Sequence, residues 1–446
     1  MRRRRRVLSE PQSNTRQLIQ RVARIALPFN RPADLDRLLE SVGDARYVLL
    51  GEASHGTSEY YQWRAQISER LIREKGFSFI AVEGDWPDCY RVNRYIKGFS
   101  DVGADAREVL ETFVRWPTWM WANEEVVAFA ERLRLHNARL SEHQKVGFFG
   151  LDVYSLWDSL YAVLGYLRNA DPALLRAAHR ALVCFQPYGE DVQQYARATA
   201  LVPTSCEDEV VDLLTELRTN EPTNRADGRE AFFTTEQNAL VVKNAEAYYR
   251  AMIRGGPESW NIRDRHMTDT LERLMRHHGP EAKAIVWEHN THIGDARYTD
   301  MADEGMVNVG QLVRDRHADE GVYLVGFASH RGSVIAAKDW EAPIEKMRVP
   351  PAREGSWEDV LHAAGGSDKL LLLDEVRDAE DFLTERGHRA IGVVYHPEYE
   401  HLGNYVPTVL PHRYDALCYV DESHALHPLH LHAAMEKIPE TYPFGV

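Results

Sequence analysis

The sequence predicts an α/β protein with a mostly parallel central sheet flanked by helices and an inserted helical subdomain. Seven short apolar runs, each followed at once by polar residues, are typical of strands covered on both faces, because they lack the alternation of a half-exposed strand. Helical stretches lie between several of these runs, which favours parallel strand pairing. No comparable run occurs between residues 156 and 275, and this absence predicts the helical insert.

The first predicted element is a helix over residues 15–27, where Leu18, Val22 and Ile25 recur at helical spacing. A second helix begins after Thr57, a residue type that caps helix N-termini, and ends at Gly76. The predicted strands cover residues 47–50, 79–82, 146–151, 284–287, 322–327, 370–373 and 391–395.

These elements divide the chain into four predicted segments. They are a basic disordered tail (1–14), the first half of the α/β core (15–155), the helical subdomain (156–275) and the second half of the core (276–446). The tail contains Arg2 to Arg6, which resemble a twin-arginine targeting signal. Because no apolar segment follows these arginines, a solvated tail is the favoured interpretation.

Composition restricts the partners that the chain is expected to have. Its net charge of −15 argues against nucleic acid and mildly favours a cationic or neutral small molecule. No apolar run approaches 18 residues, so no membrane span is expected. Four widely spaced cysteines argue against a disulfide scaffold or zinc knuckle and predict a reducing, cytoplasmic setting: Cys89, Cys184, Cys206 and Cys418.

Charged side chains follow several of the predicted strands directly. The carboxyl ends of parallel strands meet at one edge of a sheet, where ligands bind in this class of fold. We therefore expect an acidic and histidine-rich site at that edge, formed by residues that are far apart in sequence: Glu52, Glu83, Asp152, His289 and His396.

The segment Gly51-Glu52-Ala53-Ser54-His55-Gly56 lies between the strand over residues 47–50 and the helix after Thr57. A neutral histidine is the usual general base near pH 7, and a nearby carboxylate can fix its tautomer. His55 is therefore the predicted base and Glu52 its carboxylate partner. The alternative is that both residues only cap the following helix.

A second constellation, Glu288-His289-Asn290-Thr291-His292, follows the strand over residues 284–287. Two histidines three positions apart, preceded by a carboxylate at a strand end, are unusual for a purely structural loop. One of them is expected to polarise a carbonyl, stabilise an oxyanion or protonate a leaving alcohol. The other could be a core histidine with ordinary hydrogen bonds.

Several ordered motifs in this chain resemble those of the erythromycin esterase family, over roughly residues 35 to 425. The motifs are Leu50-Gly51-Glu52-Ala53-Ser54-His55-Gly56-Thr57-Ser58-Glu59-Tyr60-Tyr61-Gln62-Trp63-Arg64, Ala81-Val82-Glu83-Gly84-Asp85-Trp86-Pro87, Pro117-Thr118-Trp119-Met120-Trp121, Gly147-Phe148-Phe149-Gly150-Leu151-Asp152 and Trp287-Glu288-His289-Asn290-Thr291-His292. The resemblance implies an α/β core with a helical subdomain beside a deep cleft. It also implies hydrolysis of a macrolide lactone by a histidine-activated water.

Carried over motif by motif, the resemblance makes His55 the base and Glu52 its partner. Arg64 resembles a site arginine of the family, His289 and His292 match its second histidine pair, and Glu83 and Asp85 match an acidic strand end. We expect Arg64 and either His289 or His292 to stabilise the oxyanion and the leaving alkoxide. One position departs from the family pattern, because Gly56 follows the base where macrolide-cleaving members carry a bulkier residue. The chain therefore looks closer to a branch whose substrates are mostly unassigned.

A further set of residues is predicted to contact the substrate. Aromatic walls suit a bulky or sugar-bearing ligand, although core packing is the alternative. The predicted contacts are Asp85, Trp86, Trp119, Trp121, Glu288 and His330.

Two rival functions remain open at this point, and no cofactor is expected under the main hypothesis. The first rival is a metal-dependent hydrolase that uses Glu52, His55, Glu83, His289 and His292 as ligands. The second is a non-catalytic accessory protein that binds a saccharide during envelope biosynthesis. Serine catalysis is not favoured, because the sequence has no G-x-S-x-G element.

Overall fold

The computed structural model describes residues 10–168, 172–189, 192–201, 205–219 and 229–430. Its strands are β1 Leu27–Pro28, β2 Tyr47–Leu50, β3 Phe79–Asp85, β4 Gly147–Asp152, β5 Ala284–Trp287, β6 Val322–Ala337, β7 Ile344–Val349, β8 Lys369–Leu372, β9 Arg386–Arg389, β10 Tyr405–Thr408 and β11 Ala416–Ser423. Its helices are α1 Glu10–Ile25, α2 Asp36–Val42, α3 Ser58–Lys75, α4 Trp86–Lys97, α5 Ala106–Leu110, α6 Glu124–Asn137, α7 Leu156–Leu167, α8 Pro172–Phe185, α9 Val192–Leu201, α10 Glu207–Thr219, α11 Arg229–Met252, α12 Glu258–His278, α13 Asn290–Ile293, α14 Val309–His317, α15 Trp357–Ala363, α16 Glu400–Gly403 and α17 Leu410–Arg413.

The central sheet has nine strands in the described part of the chain. Its path is β1-β8-β11-β6-β2-β5-β3-β4, and β7 pairs with the extended end of β6. The six strands from β11 to β4 are all parallel, whereas β1, β7 and β8 add antiparallel pairs. The prediction of an α/β fold with a mostly parallel sheet is therefore confirmed.

Helices cover both faces of this sheet, which explains the continuous apolar runs. Along β2, Val48 and Leu50 enter one core with side chains of α3, whereas Tyr47 and Leu49 enter a second core with side chains of α12. All four β2 residues are buried. The neighbouring strands β5 and β6 hold the carboxyl end of β2 in a fixed position.

From Leu156 to His278 the described residues form helices and connecting segments without any strand. Helices α7, α8, α10 and α11 share a core of their own, with Leu160, Val163 and Leu213 at its centre. Helix α12 differs, because Met267 and Leu271 pack into the core beneath the sheet. The last helix of the insert is therefore part of the α/β core.

Two expectations about local structure need correction. Residues 391–395 are not a strand: Ile391 and Val394 form single bridges, to Ser54 and Ala337, and the strand is β9, which pairs with β10 alone. The predicted tail is helical from Glu10 onward, and residues 1–9 lie outside the described residues. Residues 431–446, assigned to the second half of the core, also lie outside them.

One disulfide is present, although the wide spacing of the four cysteines argued against a disulfide scaffold. Cys184 at the end of α8 forms a disulfide with Cys206 just before α10. The pairing depends on how two helices pack, and their separation of 22 residues carries no motif. Cysteine usage therefore no longer supports a cytoplasmic location. None of the helices in the described part combines the length and apolar character needed to cross a bilayer.

Candidate active site

Glu52 and His55 lie just beyond the carboxyl end of β2. His55 Nδ1 is 2.9 Å from Glu52 Oε1, so Nδ1–H donates to the carboxylate and Nε2 keeps its lone pair. Burial lowers the pKa of His55, but the charge of Glu83 and the hydrogen bond to Glu52 outweigh burial and raise it above the ordinary 6.5. His55 is 5% exposed, so a small part of its surface still reaches solvent.

Arg64 lies behind this pair and does not reach the surface of the site. Its Nη2 donates to Glu52 Oε2 over 2.7 Å, and its guanidinium lies over the rings of Tyr61 and Trp287. The side chain is fully buried. Full burial leaves the predicted contact between Arg64 and an oxyanion unsupported, and the ion pair shows Arg64 orienting Glu52.

The turn after His55 is held by two other parts of the chain. The carbonyl of Gly56 accepts hydrogen bonds from the backbone of Ile335 in β6 and of Leu426 after β11. A Cβ at Gly56 would lie 1.9 Å from the Ile335 carbonyl oxygen. Only glycine fits here, which gives the departure from the family pattern at this position a structural cause.

We expect Gly56→Ala to destabilise the protein by about 1–3 kcal/mol, the usual range for overpacking a core, because the β6 backbone must move. Urea unfolding followed by circular dichroism measures this. The matched control is Gly165→Ala on α7, where a new Cβ meets nothing within 4 Å and alanine favours the helix by about 1 kcal/mol. Equal stability of the two variants would contradict the packing at Gly56.

His289 follows β5, the strand next to β2, and its ring centre lies 4.9 Å from that of His55. Its backbone N–H donates to Glu83 Oε2, and its Nδ1 accepts from the N–H of Thr291. Nε2 is buried and has no partner among the described residues. Burial and the neighbouring His55 hold the pKa of His289 well below its ordinary value, so the ring is neutral at pH 7 and offers Nε2–H as a free donor.

His292, in contrast, has partners at both ring nitrogens. Nδ1 is 2.9 Å from Asp264 Oδ1, and Nε2 is 2.9 Å from Arg263 Nη1. The ring also stacks on Trp260, with centres 4.5 Å apart. The two histidines of the second constellation therefore differ, because only His289 has a nitrogen left for a substrate.

Arg263 of α12 joins the strand ends into one network. It donates to Glu83 at the end of β3 and to both carboxylate oxygens of Asp152 at the end of β4. With His289 at β5 and His55 at β2, four adjacent strands contribute to the network. The convergence predicted at this edge of the sheet is present for these strands.

Comparison with known proteins identifies the family of this chain. The model of the erythromycin esterase family matches residues 72–423, which is more than half of the chain. The chain belongs to the erythromycin esterase family. Membership indicates a hydrolase.

Two relatives show how similar this chain is to known proteins. Erythromycin esterase type II of Escherichia coli is 21% identical over 373 residues, covering 78% of this chain and 85% of that protein. YbfO of Bacillus subtilis (strain 168), provisionally named a hydrolase, is 21% identical over 417 residues, covering 87% and 86%.

Two solved structures share the fold of this chain. A succinoglycan biosynthesis protein superposes with a TM-score of 0.77 at 22% identity, covering 93% of this chain and 99% of that chain. A variant of the erythromycin esterase EreC in its open conformation gives 0.67 at 18% identity, covering 91% and 96%. At these identities the likeness shows the fold alone.

Two acidic residues predicted for the site, Asp85 and Glu288, lie beside the network that Arg263 forms. Asp85 pairs with Arg115, whose guanidinium lies over the ring of Tyr154, and Arg263 lies over the same ring. Burial raises the pKa of Asp85 to about 7. Glu288 is 1% exposed with both carboxyl oxygens unpartnered among the described residues. Burial and the charges of Glu83 and Asp264 raise its pKa well above the ordinary value.

The predicted tryptophan contacts are all buried. Trp121 donates its indole N–H to the backbone carbonyl of Glu83 and so supports the end of β3. Trp86 stacks on Phe149 in the core on the α12 side of the sheet. Trp119 is fully buried and packs at right angles against Trp116.

Two predicted histidines lie apart from the network. His330 stacks on His362, which in turn pairs with Asp421, in a separate cluster between the middle of β6 and the end of β11. His396 does not converge with the strand ends, because its segment is not a strand, and its side chain is 44% exposed. The expected site role of His396 is therefore not supported.

Sequence reasoning missed Arg263 and Asp264 entirely, and it gave Asp152 no role beyond its position at a strand end. A signal was present, because Arg263 and Asp264 lie in phase with Met267 and Leu271 on the buried face of α12. Charged residues at apolar-face positions indicate buried partners. Within the described ranges, no group of three or more His, Cys, Asp or Glu side chains is arranged to hold a metal ion.

Proposed function

We propose that this protein hydrolyses a carboxylic ester or macrolactone with a water molecule activated by His55. The observation that carries the proposal is the contact between two differently tuned imidazoles. His55 is hydrogen-bonded to a carboxylate and has a raised pKa, whereas His289 is neutral and has a free Nε2–H. One ring is suited to accept a proton and the other to donate a hydrogen bond.

The reaction begins with Nε2 of His55 taking a proton from water while the water oxygen bonds to the carbonyl carbon. The carbonyl π electrons move to the oxygen, and the resulting oxyanion accepts a hydrogen bond from Nε2–H of His289. Glu52 holds His55 by Nδ1 and stabilises the imidazolium that forms. The bond to the alcohol then breaks, and His55 returns its proton to the alkoxide.

The remaining charged residues position these two histidines. Arg64 holds the second oxygen of Glu52. Arg263 holds Glu83, and Glu83 accepts from the backbone N–H of His289. A shift of either arginine therefore moves an imidazole, although neither arginine contacts the reacting atoms in this scheme.

A screen of carboxylic esters, lactones and 14-membered macrolides tests the proposal, with lactone opening detected as a mass gain of one water. Turnover by the wild type, retained in the presence of a chelator and lost in His55→Ala, supports it. Turnover that a chelator abolishes and added zinc restores would favour the metal-dependent rival. Ligand binding without turnover of any ester would favour the non-catalytic one.

The raised pKa of His55 gives the proposed reaction a defined pH dependence. The base acts only when unprotonated, so kcat/KM should reach half its maximum above pH 6.5 and fall at lower pH. Glu52→Gln removes a negative charge beside the imidazolium and lowers the pKa of His55. We therefore expect the acidic limb of the variant to move to lower pH, together with a lower maximum.

The pH profile of kcat/KM measures this shift. The matched control is Glu74→Gln, because Glu74 pairs with Arg70 at the far end of α3 and its side chain is 44% exposed. The control should leave the acidic limb in place. A Glu52→Gln profile that coincides with the wild type would show that another group titrates.

A further inference from the structure

Four tryptophan N–H groups are buried without a hydrogen-bond partner in the described part of the chain: Trp86, Trp116, Trp119 and Trp340. A buried indole N–H ordinarily finds an acceptor. Other indoles of this protein follow that rule and donate to a carbonyl or hydroxyl oxygen, namely Trp121, Trp260, Trp287 and Trp357. The exceptions therefore need a cause of their own.

Three of these four indoles form one group, which we call the tryptophan triad: Trp116, Trp119 and Trp340. The ring centre of Trp116 lies 5.2 Å from that of Trp119 and 4.4 Å from that of Trp340. Trp116 and Trp119 are more than nine-tenths buried, whereas Trp340 is partly exposed. The triad therefore has an accessible edge.

Both chain segments that form the triad have neighbouring residues that contact the surroundings of the candidate active site. Trp116 follows Arg115, which pairs with Asp85 and lies over the ring of Tyr154. Trp340 belongs to the turn between β6 and β7, and Ile335 of β6 donates to the carbonyl of Gly56 next to His55. The triad is therefore built from a segment linked to Asp85 and a turn linked to Gly56.

The chemistry of the triad favours one class of ligand. Indole N–H groups only donate, so they need oxygen acceptors, and the ring faces offer a flat apolar surface. A saccharide ring supplies hydroxyl and ether oxygens together with an apolar face. An ammonium group can contact the ring faces, but it supplies no oxygen acceptor for the indole N–H groups.

We propose that the tryptophan triad binds a saccharide ring of the ester substrate. The saccharide ring stacks on the partly exposed indole of Trp340. Its oxygens accept hydrogen bonds from the indole N–H groups of the triad. This proposal rests on the proposed esterase function and assigns its substrate to the class of esterified saccharides.

A pair of acetate esters that differ in the alcohol tests the proposal: methyl 6-O-acetylglucopyranoside and ethyl acetate. We expect kcat/KM to be higher for the saccharide ester. Trp116→Phe keeps an aromatic ring but removes the N–H, and it should reduce the ratio of the two kcat/KM values about 3- to 10-fold, the loss of one hydrogen bond. The matched control, Trp357→Phe, removes an N–H bonded to the Thr408 carbonyl and should leave the ratio unchanged.

Binding to the His55→Ala variant separates this proposal from the proposed function. We expect methyl 6-O-acetylglucopyranoside to change the tryptophan fluorescence of His55→Ala, and adding Trp116→Phe should weaken the binding. Binding without hydrolysis of either ester by the wild type would overturn the esterase and leave the triad standing. An unchanged kcat/KM ratio in Trp116→Phe, with no fluorescence response, would overturn the triad.

Discussion

His55→Ala is expected to lower kcat by about 10²–10⁴-fold, the usual contribution of a general base, while the protein remains folded. Loss of the imidazole removes the acceptor for the water proton and leaves Glu52 without its role in charge stabilisation. Arg64 still neutralises Glu52 in the variant, because their ion pair does not involve His55. Steady-state hydrolysis of a substrate found by the ester screen measures the effect.

The matched control for the loss of the base is His396→Ala. His396 also follows an apolar segment, but its side chain is 44% exposed and its nearest acidic partner, Glu398, is 3.9 Å away. Its removal should leave kcat unchanged. A near-normal kcat in His55→Ala, with unfolding curves like those of the wild type, would mean that another group activates water.

Arg263→Met is expected to have the largest effect on stability. The substitution leaves Glu83 and Asp152 buried at the ends of two strands without their shared cation. Breaking a buried ion pair by removing one partner costs about 3–5 kcal/mol. Activity should fall as well, because Glu83 no longer holds the backbone N–H of His289 in place.

Urea unfolding measures the free energy of unfolding of the Arg263 variants. Arg316→Met is the matched control, since Arg316 also binds two carboxylates, Asp269 and Glu272, but its side chain is 35% exposed. Exposed pairs contribute about 0–1 kcal/mol, so this control should stay close to the wild type. Should Arg263→Met fail to fold, Arg263→Lys keeps the charge without the guanidinium fork and should recover part of the stability. If Arg263→Met had the same free energy of unfolding as the wild type, the network around Arg263 would not stabilise the protein.

The sequence predicted the parts of the site that follow strands directly. His55, Glu52, Glu83 and His289 lie within a few residues of an apolar run, and the parallel arrangement of those runs brings them together. It could not distinguish His289 from His292, because that difference depends on partners supplied by α12.

Other features depend on tertiary packing that a local pattern does not reveal. Arg64 lies nine residues after His55, yet α3 places it behind Glu52. Its positioning role follows from its burial and its bond to Glu52. The apolar run at 391–395 resembles a strand locally, but Ile391 donates its N–H to the Ala53 carbonyl and braces the turn before His55. The disulfide between Cys184 and Cys206 likewise depends on helix packing.

Helix α12 packs against both the inserted helix α11 and the central sheet. Through Arg263 and Asp264, the last helix of the insert supplies a cation and a carboxylate to the histidine network. Removing the insert together with α12 would therefore take both groups away from the histidines of the proposed active site. Helix α11 packs against α12, so it is the inserted helix through which a change in packing would reach Arg263 and Asp264.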